Sequence, residues 1–403
     1  MKGTTAVTDT KTSTLAHHFG GLKVIDTDAH WSEPHDLWTA RAPAKYRDLV
    51  PQLKEHRGKR RWVVNGDIAI AGDSATSAIG PDGDKLLGLQ FLKLDIGMVH
   101  AASSQMGPRL EVMDQLGLHT QILYPNVAGF GNQNFMKVDD AALRIACVEI
   151  YNDYMAELQS DSAERLLPMA LVPWWDIDAT VAEISRCADL GFRGIVMCSN
   201  PHDSGAPEFI APAWEPFWEA CESLGMPINF HIGSSQGDMD WFGRVPYSSW
   251  PGEVKITIGG ANIFMGQARW MSNLLLSDIP ENHPTLKFVS VESGVGWIPF
   301  LLEALDYQAG ETAPERLKHL SMTPSEYFRR QFYGCFWFES HGVQPAVDYL
   351  GATQVMFETD FPHPTCLYPR SLERTEKTIG ALAPDVQRRI LQDNAAELYR
   401  IEL

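Results

Sequence analysis

The chain has 403 residues, 44% of them hydrophobic, enough to bury a sizeable core as one large domain or two smaller ones. Glycine, proline and charged residues sit near ordinary globular levels, which excludes disordered and fibrous classes. A formal charge of −18 opposes binding to nucleic acid or to an anionic membrane surface, though not to a small anion beside a metal or an arginine.

Residues 1–20 are threonine-rich and lack the apolar segment of a secretory signal, so they read as a flexible tail. No run is long enough to span a bilayer. The six cysteines (Cys147, Cys187, Cys198, Cys221, Cys335 and Cys366) are dispersed without a C-x-x-C pair. They are expected as buried free thiols in a reducing cytoplasm.

A first strand, Lys23 to His30, ends in V-I-D-T-D-A-H. A long polar, glycine-rich stretch follows, roughly residues 33–105, in which W-V-V-N-G-D-I-A-I reads as a hairpin about N-G-D and hence as an insertion. A helix from about Pro108 to Leu116 leads through Gly117 into the strand T-Q-I-L-Y-P. From there helices and short apolar runs alternate. Helices near residues 139–159, 178–190 and 213–224 precede L-L-P-M-A-L-V-P, G-I-V-M-C-S and M-P-I-N-F-H-I. After a second insertion, about 233–260, a helix near 263–277 precedes L-K-F-V-S-V-E. Helical stretches after Trp297 precede F-Y-G-C-F-W-F. Val343–Leu350 precedes Q-V-M-F-E-T-D, and two final helices close the chain.

Eight apolar strands alternating with helices indicate a parallel sheet covered on both faces. The expected architecture is α/β, a single (β/α)8 TIM-like barrel over residues 21–403 with insertions at about 33–105 and 233–260. An open dinucleotide-binding sheet would place G-x-G-x-x-G after its first strand, and D-T-D-A-H-W lacks it.

Several of these strands end on polar groups: Asp28 and His30, His231, Glu292, and Asp360. In a barrel all such ends meet at one mouth. Asp28 and His30 are two residues apart and share a strand face. Any one of these groups alone is as readily a turn cap or a core histidine. Together, imidazole nitrogens and carboxylate oxygens suit one divalent ion, Zn2+ or Mn2+. Glu292 has three open roles: metal ligand, clamp on a histidine, or general base. The second insertion brings Trp241, Phe242 and Arg244 as candidate contacts for a flat anion, or else as residues of a surface lid or subunit interface. His363, three residues after Asp360, is a further candidate for orienting a ligand. Glu33 shapes the first-strand loop or faces the pocket.

D-T-D-A-H-W-S-E-P-H-D-L-W, N-F-H-I-G, N-H-P-T-L-K-F-V-S-V-E-S-G-V-G-W-I-P-F-L-L-E-A-L-D and E-T-D-F-P-H-P together resemble the amidohydrolase-related family. The likeness is greater to its aminocarboxymuconate semialdehyde and hydroxybenzoate decarboxylase branch, and it runs from about Val24 to Tyr399. The resemblance implies a distorted metal-dependent-hydrolase barrel with one divalent metal. Asp28-Ala29-His30 stands where the family has H-x-H, and Glu292 where it usually has histidine in A-H-x-G. The expected activity is that of a carboxy-lyase, decarboxylating a small aromatic or unsaturated carboxylic acid non-oxidatively, with Asp360 delivering a proton. The alternative is hydrolysis of an amide, ester or lactone by a metal-activated water. A third reading is a non-catalytic metal- or ligand-binding barrel. Pairing as a homodimer is expected by resemblance alone.

Overall fold

The computed structural model describes residues 19–403. Of the tail expected over residues 1–20, residues 1–18 lie outside that range; Phe19 is buried against the core instead of belonging to a free tail.

The barrel strands form where apolar residues run nearly unbroken, and these runs are largely buried on both faces. The first, β1 (Val24–His30), is buried at all seven positions. Three strands of the insertion follow: β2 (Gln52–His56), β3 (Lys59–Val64) and β4 (Ile68–Gly72). The remainder are β5 (Leu118–Tyr124), β6 (Leu166–Pro168), β7 (Ala170–Leu171), β8 (Ile195–Val196), β9 (Ile228–His231), β10 (Phe288–Val291), β11 (Phe332–Phe336) and β12 (Val355–Phe357).

Outside the insertion every pairing is parallel, and neighbours follow chain order. β6 pairs with β5 and β7 with β8, so Leu166–Leu171 is one barrel strand broken at Met169. Pro168 has no N–H to continue the ladder, and the chain changes partner there: Met169 N–H donates to Leu123 O at 3.0 Å, Ala170 N–H to Gly194 O at 3.0 Å. The circuit closes between first and last strands. Asp360 N–H donates to Asp28 O (2.9 Å), His30 N–H to Phe361 O (2.7 Å), and Ala29 bridges Phe361. The architecture is a (β/α)8 TIM barrel with eight strand positions.

Helix starts carry ordinary chemical signals. Asp140 and Asp176 accept N–H groups of Leu143 and Ala179, capping Ala141–Asp161 and Ile177–Asp189. Thr323 and Glu326 make a reciprocal capping box before Pro324–Gln331. At the far end, helix Asn394–Tyr399 seats Tyr399 inside the barrel. There its hydroxyl (2.6 Å) and that of Tyr124 (3.1 Å) both donate to Asn229 Oδ1.

The two insertions differ from their sequence appearance. The first is a three-stranded antiparallel sheet, β2–β3–β4, with two tight hairpins instead of one. Asn65-Gly66 and Arg57-Gly58 each take two consecutive positive φ values (51° and 81°; 50° and 76°), the backbone that matches strand twist in a two-residue turn. The first hairpin escapes pattern reading because Q-L-K-E-H has no apolar alternation. The second insertion forms helices Gln236–Arg244 and Gly252–Ile263, packed so closely that the Phe242 ring lies over Gly259 with no room for a Cβ. Among the described residues no helix is long and apolar enough to cross a membrane.

Candidate metal centre

The C-terminal ends of β1, β9, β10 and β12 deliver Asp28, His30, His231, Glu292 and Asp360 to one buried cluster. On β1 the pairing with β5 shifts register between Asp26 and Ala29, a bulge that re-aims the strand end. His231 Nε2 lies 3.1 Å from His30 Nε2, 3.1 Å from Glu292 Oε2 and 3.6 Å from Asp28 Oδ1. His30 Nε2 lies 3.5 Å from Asp28 Oδ1 and 3.6 Å from Asp360 Oδ1. Two residues leave their strands in left-handed backbone: Glu292 at φ 55° and Asp360 at φ 60°. Such conformations cost about 1–3 kcal/mol each and persist where the surroundings over-determine them. Here the two N–H groups are held by Glu358 Oε2 (3.1 Å) and Asp28 O (2.9 Å).

Three observations fit a divalent cation. His231 Nδ1–H donates to Ile232 O at 2.8 Å, so its Nε2 is a bare lone pair facing the cluster. Both oxygens of Asp28 and Oδ1 of Asp360 are fully buried without a hydrogen-bond partner. Buried carboxylates without compensation are costly, and a metal ion satisfies several at once. The donor set, two imidazole nitrogens with carboxylate oxygens, is that of zinc or manganese.

Electrostatics agree with a site short of positive charge. Burial first, then Asp28, push the Asp360 carboxyl well above the usual carboxylate range. Burial and Asp360 do the same to Glu292, and burial and Asp28 to Glu358. Burial pushes the His30 imidazole well down, and that of His363 to about 3. Asp26, pushed by burial to about 7, accepts from Thr359 N–H (2.7 Å), Thr359 Oγ1 (2.6 Å) and Gln121 Nε2 (2.8 Å), tying β1 to the loop that carries Asp360.

Of the substrate contacts expected from sequence, His363 joins the cluster: its Nδ1 is 2.9 Å from Asp360 Oδ1 and its ring stacks on His30 at 3.6 Å. Trp241 and Arg244 are exposed on helix Gln236–Arg244, and the Arg244 guanidinium pairs with Asp240 at 3.2 Å. Neither these two nor Phe242 shares a hydrogen bond or ring contact with the cluster among the described residues. Glu33 is buried and holds the loop after β5, accepting from the N–H groups of Asn126 (2.8 Å) and Val127 (3.0 Å).

Sequence reading missed four contributors. The Phe130 ring lies 4.4 Å from His231 and 5.2 Å from His30, walling the cluster. Asn126 contacts His363. Glu358 supports Glu292 and was signalled by its place two residues before Asp360 in F-E-T-D. Arg109, buried, donates to the carbonyls of His30 (2.7 Å) and Ala102 (2.6 Å) and pins the end of β1. Nothing local marks Phe130, Asn126 or Arg109, because long-range packing gives them their roles.

A family model described as amidohydrolase matches residues 25–401. A gamma-resorcylate decarboxylase of Rhizobium sp. (strain MTP-10005) is 27% identical over 263 residues, 63% of this chain and 76% of the relative. An amidohydrolase structure from Mycobacterium avium subsp. paratuberculosis K-10 superposes with a TM-score of 0.73 at 19% identity, covering 94% of this chain and 99% of that one. A dihydroxybenzoic acid decarboxylase from Polaromonas sp. JS666, with bound manganese and the inhibitor 2-nitroresorcinol, gives a TM-score of 0.63 at 18% identity, covering 94% and 97%.

Proposed function

The chain belongs to the amidohydrolase family, and on that premise we propose that it is a metal-dependent carboxy-lyase removing carbon dioxide non-oxidatively from a small aromatic carboxylic acid. The observation that carries this reading is the buried cluster itself: the imidazoles of His30 and His231 and the carboxyl groups of Asp28, Glu292 and Asp360 converge, with both Asp28 oxygens and Asp360 Oδ1 left without a hydrogen-bond partner. The gamma-resorcylate decarboxylase relative points the same way on substrate class.

Asp28, His30, His231 and Asp360 would hold the ion, with Glu292 at its edge. A divalent ion there, zinc or manganese, would supply positive charge that polarises a carboxylate and a neighbouring hydroxyl. Asp360 delivers its proton to the ring carbon that bears the carboxylate. The carbon–carbon bond then breaks, its electrons return to the ring, and carbon dioxide leaves. Thr365 Oγ1 donates to Asp360 Oδ2 (3.0 Å) and fixes the carboxyl plane. Glu292 Oε2 stands 3.1 Å from His231 Nε2, within reach of the same ion as a further ligand or as a general base beside it. Phe130 presents an apolar ring to the site and excludes water. The cytoplasm is the proposed compartment, supported by six buried free thiols. A homodimer is the proposed assembly, with the exposed Trp241, Tyr247 and Trp250 of the second insertion as the contact.

The test is carbon dioxide release from gamma-resorcylate and related hydroxybenzoates by zinc- and manganese-loaded protein, alongside D360N. Turnover by the wild type, falling roughly 10²–10⁴-fold in D360N at equal metal content, supports the reading. Full activity in metal-loaded D360N would remove Asp360 as the acid. Acid products from neutral esters or lactones, without gas release from any acid, would make the chain a hydrolase.

A further inference from the structure

The first insertion returns to the barrel mouth on a short hairpin, residues 78–86. Leu86 N–H donates to Ala78 O (2.7 Å), Gly80 N–H to Asp84 O (2.9 Å), and Ile79 pairs with Lys85 across it. Three contacts fasten this hairpin to the loop that follows Asp360. Ala78 N–H donates to Pro362 O (2.8 Å), the Tyr368 hydroxyl to Gly83 O (2.9 Å), and the Lys85 ammonium to Cys366 O. Cys366 follows Thr365, whose hydroxyl holds Asp360 Oδ2 at 3.0 Å. The Lys85 charge is felt at the Asp360 carboxyl, where it opposes part of the effect of burial.

An ammonium carries three donors. Among the described residues Lys85 Nζ has one acceptor, Cys366 O, and no carboxylate pairs with it. Other cations around the barrel mouth are committed. Arg109 donates to the carbonyls of His30 and Ala102 and to Gln121 Oε1. Arg269 forks onto Asp203, and Arg244 pairs with Asp240. The centre itself is short of positive charge. Asp28, Glu292, Glu358 and Asp360 are all buried there, and once two are ionised a dication has no surplus to offer an incoming carboxylate.

We propose that Lys85 pairs with the carboxylate of the incoming acid, so that the first insertion recognises the charge of the ligand. The inference rests on the carboxy-lyase reading for the class of that ligand. As carbon dioxide leaves, the negative charge of the carboxylate passes into the ring. The contact is therefore stronger to the substrate than to the transition state, and it lowers KM without raising kcat.

The experiment compares zinc-loaded wild type, K85R, K85Q and K85M as full chains at equal zinc content. Calorimetry reads the binding of gamma-resorcylate and of resorcinol, the same ring without the carboxylate, and carbon dioxide release gives KM and kcat. K85Q keeps a donor for Cys366 O and loses only the charge. It should bind gamma-resorcylate about 10–100-fold more weakly and resorcinol within about 3-fold of the wild type. KM should rise by the same factor as the acid affinity falls, kcat should not fall, and K85R should recover most of the loss. Equal weakening toward acid and resorcinol, or a loss confined to K85M, would make Lys85 a tether of the Asp360 loop and overturn the proposal. So would a fall in kcat at constant KM, or a wild type that binds the acid no more tightly than resorcinol. Weakening toward the acid alone, with no gas release by the wild type, would uphold Lys85 as the anion contact and remove the decarboxylation reading. Gas release by wild type and K85Q with equal KM would overturn the Lys85 contact and leave that reading standing.

Discussion

Glu33 offers a test of the frame that carries the centre. Burial pushes its carboxyl from an ordinary 4.5 up to about 7, and the Asn126 and Val127 amides only partly offset that. The folded state therefore binds this proton more tightly than the unfolded chain does. Its contribution to stability is fully present below about pH 4.5 and is lost as pH rises through about 7. A difference of about 2.5 pH units at about 1.4 kcal/mol each gives roughly 3 kcal/mol across that window. Glu33→Gln keeps an oxygen for both amides and cannot ionise. Urea midpoints for wild type and E33Q, measured between pH 4.5 and 8 with slopes compared, isolate this group, because all other titrations cancel in the difference. The variant should gain on the wild type progressively with pH, by about 3 kcal/mol in total. Parallel midpoint curves would refute the argument and show that the carboxylate is better solvated than its burial implies.

Three further outcomes follow from the same geometry. His231→Ala removes a bare Nε2 from the cluster and should abolish stoichiometric zinc or manganese binding while the barrel's circular dichroism persists; elemental analysis after gel filtration checks it. Chelation of the wild type should lower its thermal midpoint, since an ion at 1,000 times its Kd stabilises by about 4 kcal/mol; a midpoint indifferent to chelator would argue against a bound ion. Asn229→Leu strands the hydroxyls of Tyr124 and Tyr399 and the carbonyl of Ile195, all buried. It should cost about 2–5 kcal/mol, read from urea midpoints.

Much of the barrel was legible because each strand is a run of apolar residues with a helix period after it, and capping residues such as Asp140, Asp176 and Thr323 mark the helix starts. The hidden parts have physical reasons. Met169 breaks a strand that looks continuous, because Pro168 lacks a donor and the consequence appears only in the pairing. Q-L-K-E-H is a strand by virtue of the Arg57-Gly58 turn and its partner β3, not of its own polarity. In the second insertion the aromatics suggested either a cover over a flat anion or a surface lid or subunit interface; the chain there forms two packed helices, with Trp241 exposed and Arg244 paired with Asp240.

The sequence by itself determined the eight-fold alternation of strand and helix and the polar groups Asp28, His30, His231, Glu292 and Asp360 at strand ends, since both follow from local periodicity. Only the tertiary structure decided how those groups are used. The 3.1 Å separation of His30 and His231, 201 residues apart in sequence, depends on closure of the barrel. The left-handed backbone of Glu292 and Asp360 survives because Glu358 and Asp28 hold their N–H groups. His363 Nε2 meets Asn126 Oδ1, 237 residues away. Distances, strain and tautomers belong to contacts between distant segments, and no local pattern encodes them.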